Sequence, residues 1–164
     1  MNRQKCIEAG SKAPDFTLMD HHKKPFTLSN FKGKRILLSF HPLAWTSVCA
    51  KQMKSLEANW KNFEELNTIA VGINVDPVPS KQAWAESLGI EHVSLLSDFW
   101  PHGKTAQLYG IFRENDGFSE RANIIVDEDQ TIAYAQVYEI SQLPDIEEIL
   151  TLLGRGDKME VQKI

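Results

Sequence analysis

Cys49 closes the stretch Pro42-Leu43-Ala44-Trp45-Thr46-Ser47-Val48-Cys49, where one apolar run ends and an amphipathic one begins. A thiol there has a route to nucleophilicity that a core cysteine lacks. The first turn of a helix presents backbone N–H groups without intrahelical acceptors, and these stabilise an anion. Making an ordinary thiol mostly thiolate at neutral pH takes about 3.4 kcal/mol of preference for the charged form, whereas one exposed helix terminus supplies ~0.3–1 kcal/mol. Further donors are therefore expected. Thr46, three residues earlier, is placed to cap the helix, or to turn its hydroxyl toward the sulfur or a small oxygen-containing substrate. Pro42 ends the preceding strand, fixes the entrance backbone and removes one N–H from the pocket. Arg121, at the start of a later apolar strand, brings five donors and a permanent charge to a thiolate and to charge developing on a leaving oxygen. On spacing alone, a packed and inert Cys49 fits as well, since free cysteine is commonly buried.

These side chains need a sheet and crossover helices to bring them together. Residues 13–18 and 26–28 alternate apolar with polar across a polar turn at 20–24 and predict a hairpin. Residues 35–40 predict a central strand buried on both faces. From Cys49 onward, apolar side chains recur at Met53, Leu56, Trp60, Phe63 and Leu66, one helical stripe that includes the cysteine. A second strand over 69–75 precedes a helix that carries Ala83, Trp84 and Leu88 and stops at Gly89. A short strand at 93–96, a turn at 98–103 and a short helix to Tyr109-Gly110 follow. Residues 122–126 and 132–138 flank a polar turn as a second hairpin, and 143–153 predict a closing helix with Gly154 as its C-cap. Crossover helices mixed with terminal hairpins predict an α/β fold, a thioredoxin-like mixed sheet flanked by helices, in a single domain over residues 1–164.

With 164 residues, 42% of them apolar, the chain can bury a core without metal or disulfide staples. Its net charge of −4 and the lack of a Lys/Arg block point to no nucleic-acid partner. Met1 leads into the polar run Asn2, Arg3, Gln4, Lys5, and no stretch approaches the ~20 apolar residues of a membrane span. The expectation is a cytoplasmic protein with no membrane association. Two cysteines, Cys6 and Cys49, do not form a secreted disulfide framework. His21, His22, His41, His92 and His102 follow no metal-ligand spacing, so no metal site is expected. Phe99-Trp100 suits either subunit assembly or internal loop packing.

The stretch from Pro42 to Cys49 resembles the Pro-x-x-x-Thr-x-x-Cys signature of the peroxiredoxins, the alkyl hydroperoxide reductase and thiol-specific antioxidant family. Ala13-Pro14-Asp15-Phe16, Phe31-Lys32-Gly33-Lys34 and Arg121 ahead of Ala122-Asn123-Ile124-Ile125-Val126-Asp127 are similar to that family too, so the likeness spans nearly the whole chain. Leu96-Ser97-Asp98-Phe99-Trp100-Pro101-His102-Gly103, followed by Tyr109-Gly110, resembles the one-cysteine AhpE-type branch in particular.

The resemblance implies a peroxiredoxin-type N-terminal hairpin, Cys49 as the peroxidatic cysteine, and Pro42, Thr46 and Arg121 completing the site. It implies thiol-dependent reduction of hydrogen peroxide or small organic hydroperoxides through a Cys49 sulfenic acid, with no cofactor. An external low-molecular-weight thiol or a thioredoxin-like protein is then expected to reduce Cys49, and Cys6, in an N-terminal segment free to move, is the internal candidate. A homodimer or higher homo-oligomer is expected.

Two residues depart from the family pattern. His41 stands before the motif proline where an aromatic residue is common, as a proton relay or as a polar side chain at the pocket edge. Gln52 replaces a common glutamate and keeps hydrogen bonding to Arg121 without its charge. Two other functions stay open. A thiol-disulfide oxidoreductase would share the fold but lacks its C-x-x-C pair, and a chaperone-like oligomeric scaffold would not need Cys49.

Overall fold

A computed structural model describes residues 5–154. The chain runs through β1 (Thr17–Asp20), β2 (Pro25–Thr27), a 3₁₀ turn (Leu28–Phe31), β3 (Arg35–Phe40), α1 (Ser47–Ala58), α2 (Trp60–Glu65), β4 (Thr68–Asn74) and α3 (Val78–Leu88). It continues through β5 (Ser94–Ser97), α4 (Lys104–Leu108), β6 (Phe112–Arg113), β7 (Phe118–Ser119), β8 (Arg121–Val126), β9 (Ile132–Tyr138) and α5 (Ile146–Gly154). Seven strands form one mixed sheet in the order β2-β1-β5-β4-β3-β8-β9, and β6 and β7 make a separate ribbon. This is the expected thioredoxin-like α/β architecture with an N-terminal hairpin.

Alternation along the central strands sorts side chains onto two cores. Strand β3 pairs parallel with β4 and antiparallel with β8, and both β3 and β8 are buried at every position. Ile36, Leu38 and Phe40 join Val71, Ile73, Ile124 and Tyr109 in one core, closed by α4 through Ala106. Leu37, Ala70 and Ile125 face the other way and meet Met53 and Leu56 of α1, Phe63 of α2, Trp84 of α3 and Ile149 of α5. Each such aliphatic side chain contributes roughly 1.5–3 kcal/mol on burial, so the second core pins α1 firmly onto the sheet. Gly72 of β4 lies directly beneath α1. A Cβ there would meet Met53 Sδ and Leu95 Cδ2, so any larger residue would have to displace these side chains from beneath the helix.

The stripe from Cys49 to Leu66 is not one helix. Asn59, at φ −111° and ψ 13°, separates α1 from α2, and its side-chain amide donates to Ser55 O at 2.8 Å. The apolar spacing survives the break because both short helices pack on the same face of the sheet. Helix α5 starts at Ile146, later than expected, with Asp145 Oδ1 accepting the Glu147 N–H at 3.0 Å; Gly154 is its last residue rather than its cap. Gly89 does cap α3 in the left-handed conformation, at φ 71°. The β6–β7 ribbon was not expected, since two residues per strand leave no periodicity to read.

Candidate active site

Strand alternation places Arg121, Asn123 and Ile125 of β8 on the face covered by α1, and Ser39 of β3 pairs with Asn123 in register on that face. Helix α1 turns Cys49 and Gln52 inward, three residues apart on its buried side. Together they make a continuous chain of hydrogen bonds. Ser39 Oγ donates to Asn123 Oδ1 at 2.8 Å, Gln52 Nε2 donates to Ser39 Oγ at 2.7 Å and to Phe40 O at 3.2 Å, and Arg121 Nη1 donates to Gln52 Oε1 at 2.7 Å. The same Nη1 lies 3.3 Å from Cys49 Sγ. The other edge of the guanidinium is anchored on Ile140 O, with Nε at 2.9 Å and Nη2 at 2.7 Å. Arg121 and Cys49 are both buried, and among the described residues no carboxylate forms an ion pair with Arg121. A buried cation without a carboxylate partner is costly unless another anion or strong acceptors face it.

The loop between β3 and α1 presents Cys49 from the other side. Pro42 is buried at the end of β3, whereas Thr46 and Trp45 are exposed. Thr46 occupies the N-cap position with extended backbone, but its side chain makes no capping bond. Its Oγ1 donates instead to Leu43 O at 2.8 Å, so the capping role is corrected: the hydroxyl closes the loop back on itself. Trp45 adopts φ 68°, a left-handed conformation that is strained for a bulky residue. Its indole N–H donates to Ser80 Oγ at 3.1 Å, and the neighbouring Ala44 N–H donates to Asp76 Oδ2 at 2.8 Å.

His41 is not at a pocket edge. It is fully buried, its ring 5.4 Å from that of Trp84, with Nδ1 3.3 Å from Ser39 O and no hydrogen-bond partner on Nε2. Burial, aided by the nearby charges of Lys81 and Arg121, pushes its basicity well below that of an ordinary imidazole, so the ring is neutral at physiological pH. Cys6 is half-buried and packs against the first core, on the opposite face of the sheet from Cys49. Burial and the carboxylates of Glu120 and Glu8 push its thiol up, and the adjoining Ile7 N–H is tied to Tyr109 O at 3.1 Å.

The sequence pattern of the AhpC/TSA family matches residues 9–135. The chain belongs to the AhpC/TSA family. Among its AhpC/TSA relatives, alkyl hydroperoxide reductase E of Mycobacterium tuberculosis is 37% identical over 140 residues, which cover 85% of this chain and 91% of that one. A peroxiredoxin of Thermoplasma volcanium is 32% identical over 152 residues, covering 90% of this chain and 73% of that one. The peroxidoxin BcpB of Mycobacterium tuberculosis superposes with a TM-score of 0.80 at 25% identity, over 92% of this chain and 98% of that one. The reduced 2-Cys peroxiredoxin of Plasmodium vivax shares the fold with a TM-score of 0.84 at 24% identity, over 95% and 85% of the two chains.

Several members of this candidate site escaped sequence reasoning. Ser39 and Asn123 carry a usable signal, since each is a lone polar residue in a run otherwise buried on both faces, where it must find a partner. The Ile140 carbonyl, Asn74, Asp76 and Lys81 carry none: they lie at element ends or in a helix's first turn, where polar residues are ordinary. Among the described residues, no helix is long and apolar enough to cross a membrane.

Proposed function

We propose that this AhpC/TSA protein is a thiol-dependent peroxidase in which Cys49 reduces hydrogen peroxide or a small organic hydroperoxide. The observation that supports it best is the contact of Arg121 Nη1 with Cys49 Sγ, made by a buried guanidinium that has no carboxylate partner among the described residues. Cys49 as thiolate supplies the missing counter-charge. Its sulfur attacks the terminal peroxide oxygen, the O–O bond breaks, and water or an alcohol leaves after taking up one proton; Cys49 is oxidised to the sulfenic acid and the peroxide is reduced. Arg121 stabilises the negative charge that grows on the leaving oxygen. Thr46 has its own proton committed to Leu43 O, so its hydroxyl oxygen is free to accept the peroxide O–H and hold it in line. Buried Pro42 keeps water and a competing N–H away from the sulfur.

A one-cysteine cycle is supported by the placement of Cys6 against the core on the other face of the sheet from Cys49. An external low-molecular-weight thiol or a thioredoxin-like protein therefore returns Cys49 to the thiol. Trp100 and Phe99, 80% and 47% exposed beside each other, supply an apolar surface for a second copy of the chain. The reading is tested by mixing reduced protein with one equivalent of peroxide and following peroxide loss alongside the gain of one oxygen at Cys49. Equal consumption by the Cys49→Ser variant would sink it.

A further inference from the structure

Helix α3 holds the loop that delivers Cys49 at two points, and one of them is built on a buried cation. Ser80 takes the indole N–H of Trp45. The next residue, Lys81, is fully buried and donates through Nζ to Asn74 Oδ1. The ammonium donates to this amide oxygen from one side and the Asp76 backbone N–H donates to it at 3.1 Å from another, so the oxygen faces Lys81 and the NH₂ faces away. Asn74 Nδ2 accordingly donates to Asp76 Oδ2 at 2.7 Å, and that same carboxylate oxygen accepts the Ala44 N–H at 2.8 Å. Ala44 immediately precedes Trp45, whose φ of 68° is the strained step from which the chain enters α1. Strain of this kind persists only where surrounding contacts over-determine it.

We propose that Lys81 is a positioning residue for Cys49, acting through Asn74 and Asp76 to hold the 43–46 loop in the conformation from which α1 begins. The inference rests on Cys49 being the reacting thiol. Lys81 itself is not placed on the substrate; it acts through the two side chains between it and Ala44. The titratable groups facing it are Asp76 after β4, Asp98 after β5, Cys49 on α1, His41 at the end of β3 and His21 in the β1–β2 turn. Burial in this company brings the lysine down to about 7, so its charge is set near physiological pH, against the pull of Asp76, Cys49 and Asp98.

The test is a double-mutant cycle on Lys81→Met and Asp76→Ala in the full chain with Cys6→Ser, so that a single thiol reports. Two readouts are taken: the second-order rate of Cys49 oxidation by hydrogen peroxide as a function of pH, and hydrogen exchange at the Ala44 amide. Each single variant is expected to slow oxidation at least ~10-fold, because misplacement on the order of 1 Å at a reacting centre costs up to ~100-fold. The double variant is expected to be no slower than the slower single, since both break the same chain of contacts. Ala44 exchange is expected to quicken at least ~10-fold in all three. Wild-type rates in Lys81→Met, effects that multiply in the double, or unchanged Ala44 exchange would each overturn the proposal. Should Lys81→Met fail to fold, Asp76→Ala tests the loop contact from its solvent-nearer end, and unchanged exchange there is equally fatal. Because the exchange needs no peroxide, a wild type that consumes none defeats the peroxidase reading while leaving the loop measurement to decide on Lys81.

Discussion

Arg121 Nη1 stands between Gln52 Oε1 at 2.7 Å and Cys49 Sγ at 3.3 Å, while Nε and Nη2 share the carbonyl of Ile140. Only a planar fork satisfies all three directions at once. In Arg121→Lys the charge survives but the ammonium cannot reach the sulfur, Gln52 and Ile140 together. Oxidation of Cys49 by peroxide is expected to slow by ~100-fold or more, in line with the loss of a preorganised donor at a transition state. Stopped-flow mixing with hydrogen peroxide measures it. A lysine variant within a few-fold of wild type would mean that charge alone suffices and that the fork geometry is incidental.

His41→Phe separates the buried imidazole from the reaction. The folded-state basicity of His41 lies well below 6.5, so between the two values the unfolded chain binds a proton that the folded chain refuses. Stability therefore rises with pH across that window and is lost as pH falls below about 6.5. A phenyl ring keeps the contact with Trp84, removes the unpartnered Nε2 and cannot titrate. Urea unfolding at pH 7 and pH 5 should show a smaller loss on acidification in the variant than in wild type. Unchanged peroxide kinetics are expected beside it; a large fall in rate at neutral pH would revive the proton-relay reading.

How much of this was legible in the sequence follows from periodicity. The helical stripe beginning at Cys49 and the strands before and after it were legible, but a strand buried on both faces does not show which face Arg121 takes, and the register of β3 with β8 was needed to bring it to Cys49 and Gln52. The break at Asn59 was not legible, because the apolar spacing of Met53, Leu56 and Phe63 continues across it. Nor was the direction of the Thr46 hydroxyl, which a local carbonyl captures in competition with the helix amides. Lys81 was the hardest, since a lysine in the first turn of a helix ordinarily lies in solvent, and only the fold shows that α3 packs this one against the end of β4.

Cys6→Ser is expected to turn over peroxide at the wild-type rate when a low-molecular-weight thiol or a thioredoxin-like protein is supplied. Cys6 packs in the core on the far side of the sheet, and burial with Glu120 and Glu8 nearby keeps it protonated. A protonated thiol attacks a sulfenic acid poorly. Steady-state peroxide consumption with each donor, together with non-reducing mass analysis after one equivalent of peroxide, checks this. A Cys6–Cys49 disulfide in wild type, or turnover lost in the variant, would reverse the assignment.

Gln52 decides whether the Arg121 fork stays aimed when no substrate is present. Its amide spends both ends: Nε2 satisfies Ser39 and Phe40, and Oε1 takes the Arg121 N–H. Gln52→Leu keeps the approximate volume but takes the acceptor from one Arg121 N–H and a donor from Ser39 Oγ in a dry interior, at a cost of roughly 1–3 kcal/mol for a buried group left unpaired. Gln52→Glu retains an acceptor for Arg121, now charged, and loses the donors to Ser39 and Phe40. It should therefore unfold at a denaturant concentration between those of wild type and Gln52→Leu. Peroxide kinetics separate the two variants further, because a carboxylate still gives Arg121 Nη1 the acceptor that holds it beside Cys49, whereas leucine removes it. Slower oxidation is expected in Gln52→Leu and a rate nearer wild type in Gln52→Glu; a Gln52→Leu protein as stable and as fast as wild type would show that Ile140 alone aims Arg121.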